Sequence, residues 1–91
     1  MQFVLVCTQH RGVFAGHASP EDLAEQSSTR RLKLAGAKMA IRFGTTRGVA
    51  ELAATGPTEA TKVGAPADVE LHNVTAVFKC SEAAAAAWSL R

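Results

Sequence analysis

Residues 45–57 read TTRGVAELAATGP, and this stretch has the features of a short helix with a signal at each end. A hydroxyl of Thr45 or Thr46 can accept a hydrogen bond from the unpaired N–H groups of a first helical turn. Apolar residues then recur at spacings of three and four. Gly56 favours the left-handed conformation that ends helices, and Pro57 cannot continue one. The stretch therefore predicts a central helix that separates two groups of strands.

The start of this helix has the chemistry of a small anion site. Unpaired N–H groups and the helix dipole favour negative charge there. Arg47 adds a guanidinium that can hold a phosphate through two hydrogen bonds, and Gly48 lets a ligand approach the backbone. The alternative interpretation is an ordinary capped helix that carries a surface arginine.

Four extended segments precede the helix. They are residues 2–8, 13–17, 30–35 and 39–43. The first is a continuous β-branched and aromatic run, typical of a central strand covered on both faces, and the second returns from it as a hairpin. Alternation in the fourth predicts that Met39, Ile41 and Phe43 face the core. Between the hairpin and the third strand we expect one helical turn at residues 19–22 and then a mobile loop to Thr29.

The segments after the helix complete the predicted fold. Residues 58–63 read as a short strand, residues 64–67 as a turn, and residues 69–80 as the longest extended segment, with a bulge at His72–Asn73. Ser81 caps a final alanine-rich helix. The order ββββαββα predicts a single α+β domain over residues 1–91, with a mostly antiparallel sheet of five to six strands, a short central helix and a C-terminal helix.

Composition limits the partners of the chain. A net charge of +2 without a basic stripe argues against duplex DNA or RNA, but small anions need only two or three donors. Large core side chains are scarce, because aromatic residues make up 5% of the chain. We therefore expect a homo-oligomer. Trp88 and Leu90 are the predicted interface residues, and they dock either on the sheet or on a neighbouring subunit.

The residues that usually carry catalysis form no recognisable constellation. His10, His17 and His72 are scattered, with no metal-ligand spacing. Cys7 and Cys80 lie in apolar runs and read as reduced core residues, although neighbouring strands could bring them together. We expect no enzyme, no cofactor and no metal. No segment is long enough for a signal peptide or a membrane span, so we expect a soluble, cytoplasmic protein with no membrane contact.

A second segment has the same arginine–glycine–valine order as the start of the central helix. His10, Arg11 and Gly12 precede a valine, as Thr46, Arg47 and Gly48 do. Two such arginine–glycine elements meeting in space would form a two-pronged clamp for an anion, whereas coincidence between two turns is the alternative. The predicted ligand-binding set is His10, Arg11, Gly12, Thr45, Thr46, Arg47, Gly48, Thr55, Gly56, Thr58 and Lys62.

Four motifs together resemble a family of small phage-encoded proteins of unknown function. They are HRGVF at residues 10–14, RGVAELAATGPT at 47–58, NVT at 73–75 and EAAAAAW at 82–88. The resemblance covers most of the chain, and the second motif is the most specific. Residues 39–43 depart from it, because the similar proteins carry aromatic residues there. The resemblance implies a phage or prophage origin and a host cytoplasm, without an established activity.

This origin favours a role in overcoming host defence. The sequence predicts a non-catalytic protein that binds and sequesters a cyclic di- or oligonucleotide immune signal, because such a role needs an oligomer with anion pockets. A stoichiometric, anti-CRISPR-like inhibitor of a host defence protein is the first alternative. A virion or assembly component is the second.

The predicted assembly can be tested directly. Because few large side chains are available for the core, we expect a homo-oligomer in light scattering at tens of micromolar, about the concentration at which weak dimers form. A monomer at that concentration would contradict the prediction.

Overall fold

Six strands and three helices make up the part of the chain that the structure describes. The structure is a computed structural model and describes residues 2–9, 12–42, 50–57 and 61–90. The elements are β1 Gln2–Thr8, β2 Val13–Ala18, α1 Pro20–Thr29, β3 Leu32–Arg42, α2 Ala50–Ala54, β4 Lys62–Val63, β5 Ala67–Leu71, β6 Val74–Lys79 and α3 Glu82–Ser89. The strands form one antiparallel sheet, which confirms the predicted α+β fold with a short helix and a C-terminal helix.

Strand β1 lies inside the sheet, as its apolar run predicts. It pairs with β2 on one side and with β6 on the other. Val4, Leu5 and Val6 are fully buried, although successive side chains of a strand point to opposite faces. Both faces of β1 are therefore covered, and the predicted hairpin of β1 and β2 is confirmed.

The sheet curls until its two edges meet. Its order is β4-β3-β2-β1-β6, and β5 joins the same edge of the sheet as β4 by pairing with β3. In a flat sheet β5 and β6 would lie about 19 Å apart, four spacings of about 4.8 Å. The chain from Leu71 to Val74 spans at most about 11 Å. A backbone hydrogen bond stabilises the contact between the two edges: the Val74 N–H donates to the Arg30 carbonyl at 3.0 Å.

The curl separates two cores on opposite faces of the sheet. The inner core contains Val4, Val6, Ala18, Leu32, Leu34, Ala37, Leu71 and Val74. The outer core contains Leu5, Val13, Ala15, Ala40, Leu52, Ala53, Ala84 and Trp88, and α2 and α3 cover it. The Trp88 indole N–H donates to the Leu52 carbonyl at 3.0 Å, so the largest side chain joins α3 to α2 with its polar atom satisfied.

Helix α1 replaces the predicted single turn and mobile loop. Ser19 caps it by accepting a hydrogen bond from the Asp22 N–H, and Pro20 occupies its first turn as predicted. The polar residues that follow do not break the helix. The hydroxyls of Ser27 and Thr29 donate back to carbonyls three and four residues earlier, so their hydrogen bonds stay within the helix.

A single strand, β3, replaces the two strands predicted on either side of Gly36. Gly36 has a φ of 59°, and β3 carries one extra residue there relative to both β2 and β5. The extra residue exchanges the two faces of the strand. Ala37 consequently lies in the inner core, and Met39 lies on the same side of β3, opposite Phe14. The prediction that Met39 and Ile41 pack in the core is nevertheless wrong, because they are 39% and 54% exposed. Phe43, the third residue of that prediction, lies outside the described residues.

The long strand predicted over residues 69–80 is divided between the two edges of the sheet. Asn73 has a φ of 56° and ends the extended run, so β5 and β6 are separate strands and not one bulged strand. The predicted strand at residues 58–63 is described only as β4, and residues 58–60 lie outside the described part. The observed order is ββαβαβββα. Among the described residues, no helix combines the length and the apolar character needed to cross a membrane.

Two glycines with positive φ allow a matched test of the packing between α2 and α3. A Cβ at Gly56 would lie 2.5 Å from the Ala87 Cβ, whereas a Cβ at Gly36 would meet nothing within 4 Å. Gly36→Ala carries only backbone strain, about 1–2 kcal/mol. Gly56→Ala adds overpacking of about 1–3 kcal/mol. We expect urea denaturation to show the larger loss of unfolding free energy for Gly56→Ala, and equal losses would contradict the packing of α2 on α3.

Candidate functional site

The predicted ligand-binding residues divide between the described and the undescribed parts of the chain. His10, Arg11, Thr45, Thr46, Arg47, Gly48 and Thr58 lie outside the described residues. Gly12, Thr55, Gly56 and Lys62 are described. The predicted helix start thus lies outside the described residues, and the site is described from the residues next to it in the chain or in the sheet.

Several residues next to the undescribed segments lie at the same end of the sheet. We call this end the turn end and define it by Gln9, Gly12, Arg42 and Lys62. The hairpin of β1 and β2 turns between Gln9 and Gly12. Phe14 pairs with Met39, so the antiparallel register carries Gly12 towards the last residues of β3. Lys62 pairs directly with Arg42, the last residue of β3. Topology thus brings Gly12 and Lys62 to one end of the sheet.

Arg42 and Lys62 place two cationic residues at directly opposed positions of a strand pair. Like charges at such positions repel and destabilise the pair unless an anion lies between or beside them. The register between β3 and β4 also shifts between Ala40 and Arg42, which leaves Ile41 as an extra, exposed residue. Irregularities of this kind often adjust the direction of side chains near binding sites.

Gly12 is explained by packing within the chain. It is buried, and its carbonyl accepts the Thr8 N–H at 2.9 Å. A Cβ at this position would lie 2.5 Å from the Thr8 hydroxyl oxygen and 2.9 Å from the Phe14 ring. The chain itself therefore fills the space beside Gly12 that the sequence suggested for a ligand.

Thr55 and Gly56 lie where α2 meets α3. Gly56 has a φ of 87°, as expected of the predicted helix stop, and it packs against Ala84 and Ala87. The Ser81 N–H and hydroxyl donate to the carbonyls of Ala53 and Ala54, which satisfies the end of α2. The structure thus assigns Gly56 a packing role between helices.

The two predicted interface residues have different surroundings. Trp88 is 1% exposed and belongs to the outer core of its own chain, which corresponds to docking on the sheet. Lys38 donates from its ammonium group to the Trp88 carbonyl at 3.0 Å, which also suits the negative end of α3. Leu90 is 86% exposed and remains the predicted interface residue that another subunit can reach.

The two cysteines are free thiols held apart by the register. The Cys80 N–H donates to the Phe3 carbonyl, and Cys7 lies four residues further along β1. That separation is about 13 Å of strand, whereas a disulfide needs Cα atoms within about 7 Å. Burial raises the pKa of the Cys7 thiol and raises the pKa of the Cys80 thiol to about 11. Across the described residues, no group of three or more His, Cys, Asp and Glu side chains is arranged to hold a metal ion.

Sequence reasoning did not single out Arg42, which the strand register places opposite Lys62. Alternation in residues 39–43 marked Arg42 as an outward surface residue, which says nothing about its partner. The pairing with Lys62 depends on where β4 docks, and β4 is two residues long. The only available signal was a cation one position before the end of each of the two predicted segments, residues 39–43 and 58–63.

Comparison with known proteins gives one family and no named relative. The family model described as "Domain of unknown function (DUF6948)" matches residues 1–88. No curated protein and no solved structure matches the chain.

The thiols allow a test of the outer core. With a pKa of about 11 for Cys80, the thiolate fraction near pH 8 is about a hundredfold below that of a thiol with the ordinary pKa of 9.0. A thiolate of higher pKa is more nucleophilic, so we expect iodoacetamide to alkylate Cys80 at least about tenfold more slowly than in the urea-unfolded chain. The rate should rise until about pH 11. Equal rates in the folded and unfolded chains, or an intramolecular disulfide by mass, would contradict the structure.

Proposed function

We propose that the chain, which belongs to the family described as a domain of unknown function (DUF6948), binds and sequesters a cyclic-nucleotide-type signal at the turn end. In this proposal it is a non-catalytic accessory protein of a phage that acts in the host cytoplasm against host defence. The phage origin rests on the sequence resemblance. The ligand class rests on the charge and topology of the turn end.

The opposed pair of Arg42 and Lys62 is the observation that carries this proposal. Two cations at opposed register positions repel each other, and a phosphate bound beside them would offset that repulsion. Lys62 is exposed, so its ammonium group is accessible to a ligand. A dinucleotide carries two phosphates and needs more than one pair of donors.

Both arginine–glycine elements adjoin the turn end along the chain. Arg11 directly precedes Gly12, and residues 43–49, which contain Arg47, directly follow Arg42. We propose that Arg11 and Arg47 supply bidentate donors to the phosphates and that the Gly48 backbone approaches the ligand. Threonine hydroxyls at positions 45, 46 and 58 would hold ribose or base edges. Thr55 lies instead at the junction of α2 with α3, so we do not assign it to this ligand.

Sequestration suits the described residues better than turnover does. His17 and His72 are both exposed, and they lie on different elements: His17 is on β2, and His72 connects β5 to β6. Burial raises the pKa of both thiols, which leaves little thiolate at neutral pH to act as a nucleophile. A binder that holds an intact ligand needs neither group.

A stoichiometric inhibitor of a host defence protein is the second candidate function. Met39 and Ile41 are apolar, exposed and close together near the end of β3. Exposed apolar side chains of this kind are common at protein–protein contacts. This candidate predicts no affinity for small molecules and a loss of activity only from substitutions across a broad surface.

Calorimetry with a panel of cyclic di- and oligonucleotides distinguishes the two candidates. A charge-assisted contact to phosphate is worth about 1.5–3 kcal/mol, so we expect Arg47→Ala to weaken binding by about ten- to a hundredfold. Lys62→Ala should weaken it by about tenfold, because Lys62 is half of the opposed pair. Lys79→Ala is the matched control, since Lys79 is an exposed lysine on β6, at the other edge of the sheet.

The fate of the ligand completes the test. After heat denaturation of the complex, we expect the nucleotide to be recovered intact. Recovery of a cleaved product would contradict sequestration. Absence of binding across the panel would overturn the nucleotide proposal and favour the inhibitor, and an equal loss with Lys79→Ala would remove the turn end as its site.

A further inference from the structure

A cavity of about 340 Å³ opens between α1, the end of β2 and strands β3 and β5. It is lined by His17, Asp22, Lys33, Leu34, Ala35, Asp68, Val69 and Glu70. Its origin is the weak packing of α1, a helix with no fully buried residue. Leu23 is the partly buried apolar residue that joins α1 to the inner core. Because one leucine cannot hold the helix closely against the strands, a space remains beside it.

The cavity has an apolar floor and fixed polar walls. Leu34 is buried and Val69 is partly buried, so the floor is hydrocarbon. Asp22 accepts the Ser19 hydroxyl through one carboxylate oxygen at 2.9 Å, and Asp68 accepts the Gly36 N–H through one oxygen at 2.8 Å. Each carboxylate is held in position, and its second oxygen has no partner among these bonds. Such pre-positioned groups around an apolar floor are typical of small-molecule sites.

The residues that line this cavity carry a net negative charge, which favours a positively charged ligand. Asp22, Asp68 and Glu70 contribute three negative charges and Lys33 one positive charge, which gives −2 with His17 neutral, whereas the whole chain carries +2. A metal ion is not favoured at this position, because the described residues contain no group of three side chains suited to hold one. A second cavity of about 240 Å³ shares Asp22, Lys33 and Glu70 and adds Glu25 and Arg31, whose charges cancel, so its lining carries a net charge of −1.

We propose that this cavity binds a small organic cation with an aliphatic chain, of the alkyl diamine class. Its ammonium groups pair with the second carboxylate oxygens of Asp22 and Asp68, whereas Glu70 lies directly opposite Lys33 in the pairing of β3 with β5. Its methylene groups cover Leu34 and Val69. The volume lies at the lower end of the range for small-molecule sites, about 300–1,000 Å³. This site is separate from the turn end, since Ala35 and Arg42 are seven residues apart along β3, about 23 Å of strand.

A titration of ¹⁵N-labelled protein with 1,4-diaminobutane tests the site. We expect saturable shifts in the amide signals of His17, Gly36 and Val69. The control ligand is 1-butanol, which has the same four-carbon chain without charge, and sodium chloride controls for ionic strength. Equal shifts with butanol or salt, or no saturation up to about 50 mM diamine, would overturn the proposal.

Two substitutions locate the binding. Asp68→Asn removes a charge but keeps an oxygen for the Gly36 N–H, so we expect the folded chain to bind the diamine about tenfold more weakly. Glu82→Gln is the matched control, because Glu82 is an exposed carboxylate on α3, outside the cavity. An equal loss with Glu82→Gln would show nonspecific attraction to negative charge and would contradict the site. Thermal melts of both variants confirm that each remains folded.

Discussion

The two-residue connection between β5 and β6 is the constraint on which the fold depends. His72 and Asn73 join strands that lie on opposite edges of the sheet, and so short a link is incompatible with a flat arrangement. The positive φ of Asn73 turns the chain, and two backbone hydrogen bonds hold the junction: the Gln9 N–H donates to the Asn73 carbonyl, and the Val74 N–H donates to the Arg30 carbonyl. The inner core is closed because the strands wrap around it, which lets a chain with few aromatic residues exclude water.

The curl of the sheet also determines where α2 and α3 pack. Once one face is inside, the other face still presents Leu5, Val13 and Ala15, which α2 and α3 must cover. Alanines in α3 allow the two helices to approach closely, and Gly56 marks the point where no side chain fits between them. Trp88 then fills the remaining volume and ties the helices together through the Leu52 carbonyl. Helices α2 and α3 are occupied by packing, and the sites at which we propose binding, the turn end and the cavity beside α1, lie outside them.

The sequence predicted the features that depend on residues close together in the chain. The apolar run of β1, the hairpin, the cap at Ser19, the stop at Gly56 and the cap at Ser81 were all readable from the sequence. The exposure of Met39 and Ile41 was not, because the extra residue at Gly36 and the extent of the inner core depend on how β3 packs with β2 and β5. The division at Asn73 and the pairing of Arg42 with Lys62 likewise depend on strands distant in sequence. Of the predicted site, the structure places Gly12 and Lys62 at one end of the sheet and explains Gly56 by packing, while the start of the central helix remains a prediction.

The most direct test of the closed sheet is the hydrogen bond that fastens it. In a chain that curls as described, the Val74 amide nitrogen and the Arg30 carbonyl carbon are linked by a hydrogen bond of 3.0 Å between nitrogen and oxygen. NMR should therefore detect a scalar coupling across this bond, together with slow exchange of the Val74 amide proton. A missing coupling and an amide that exchanges as fast as those of exposed loops would show that the edges do not meet, and would contradict the fold on which both proposed binding sites depend.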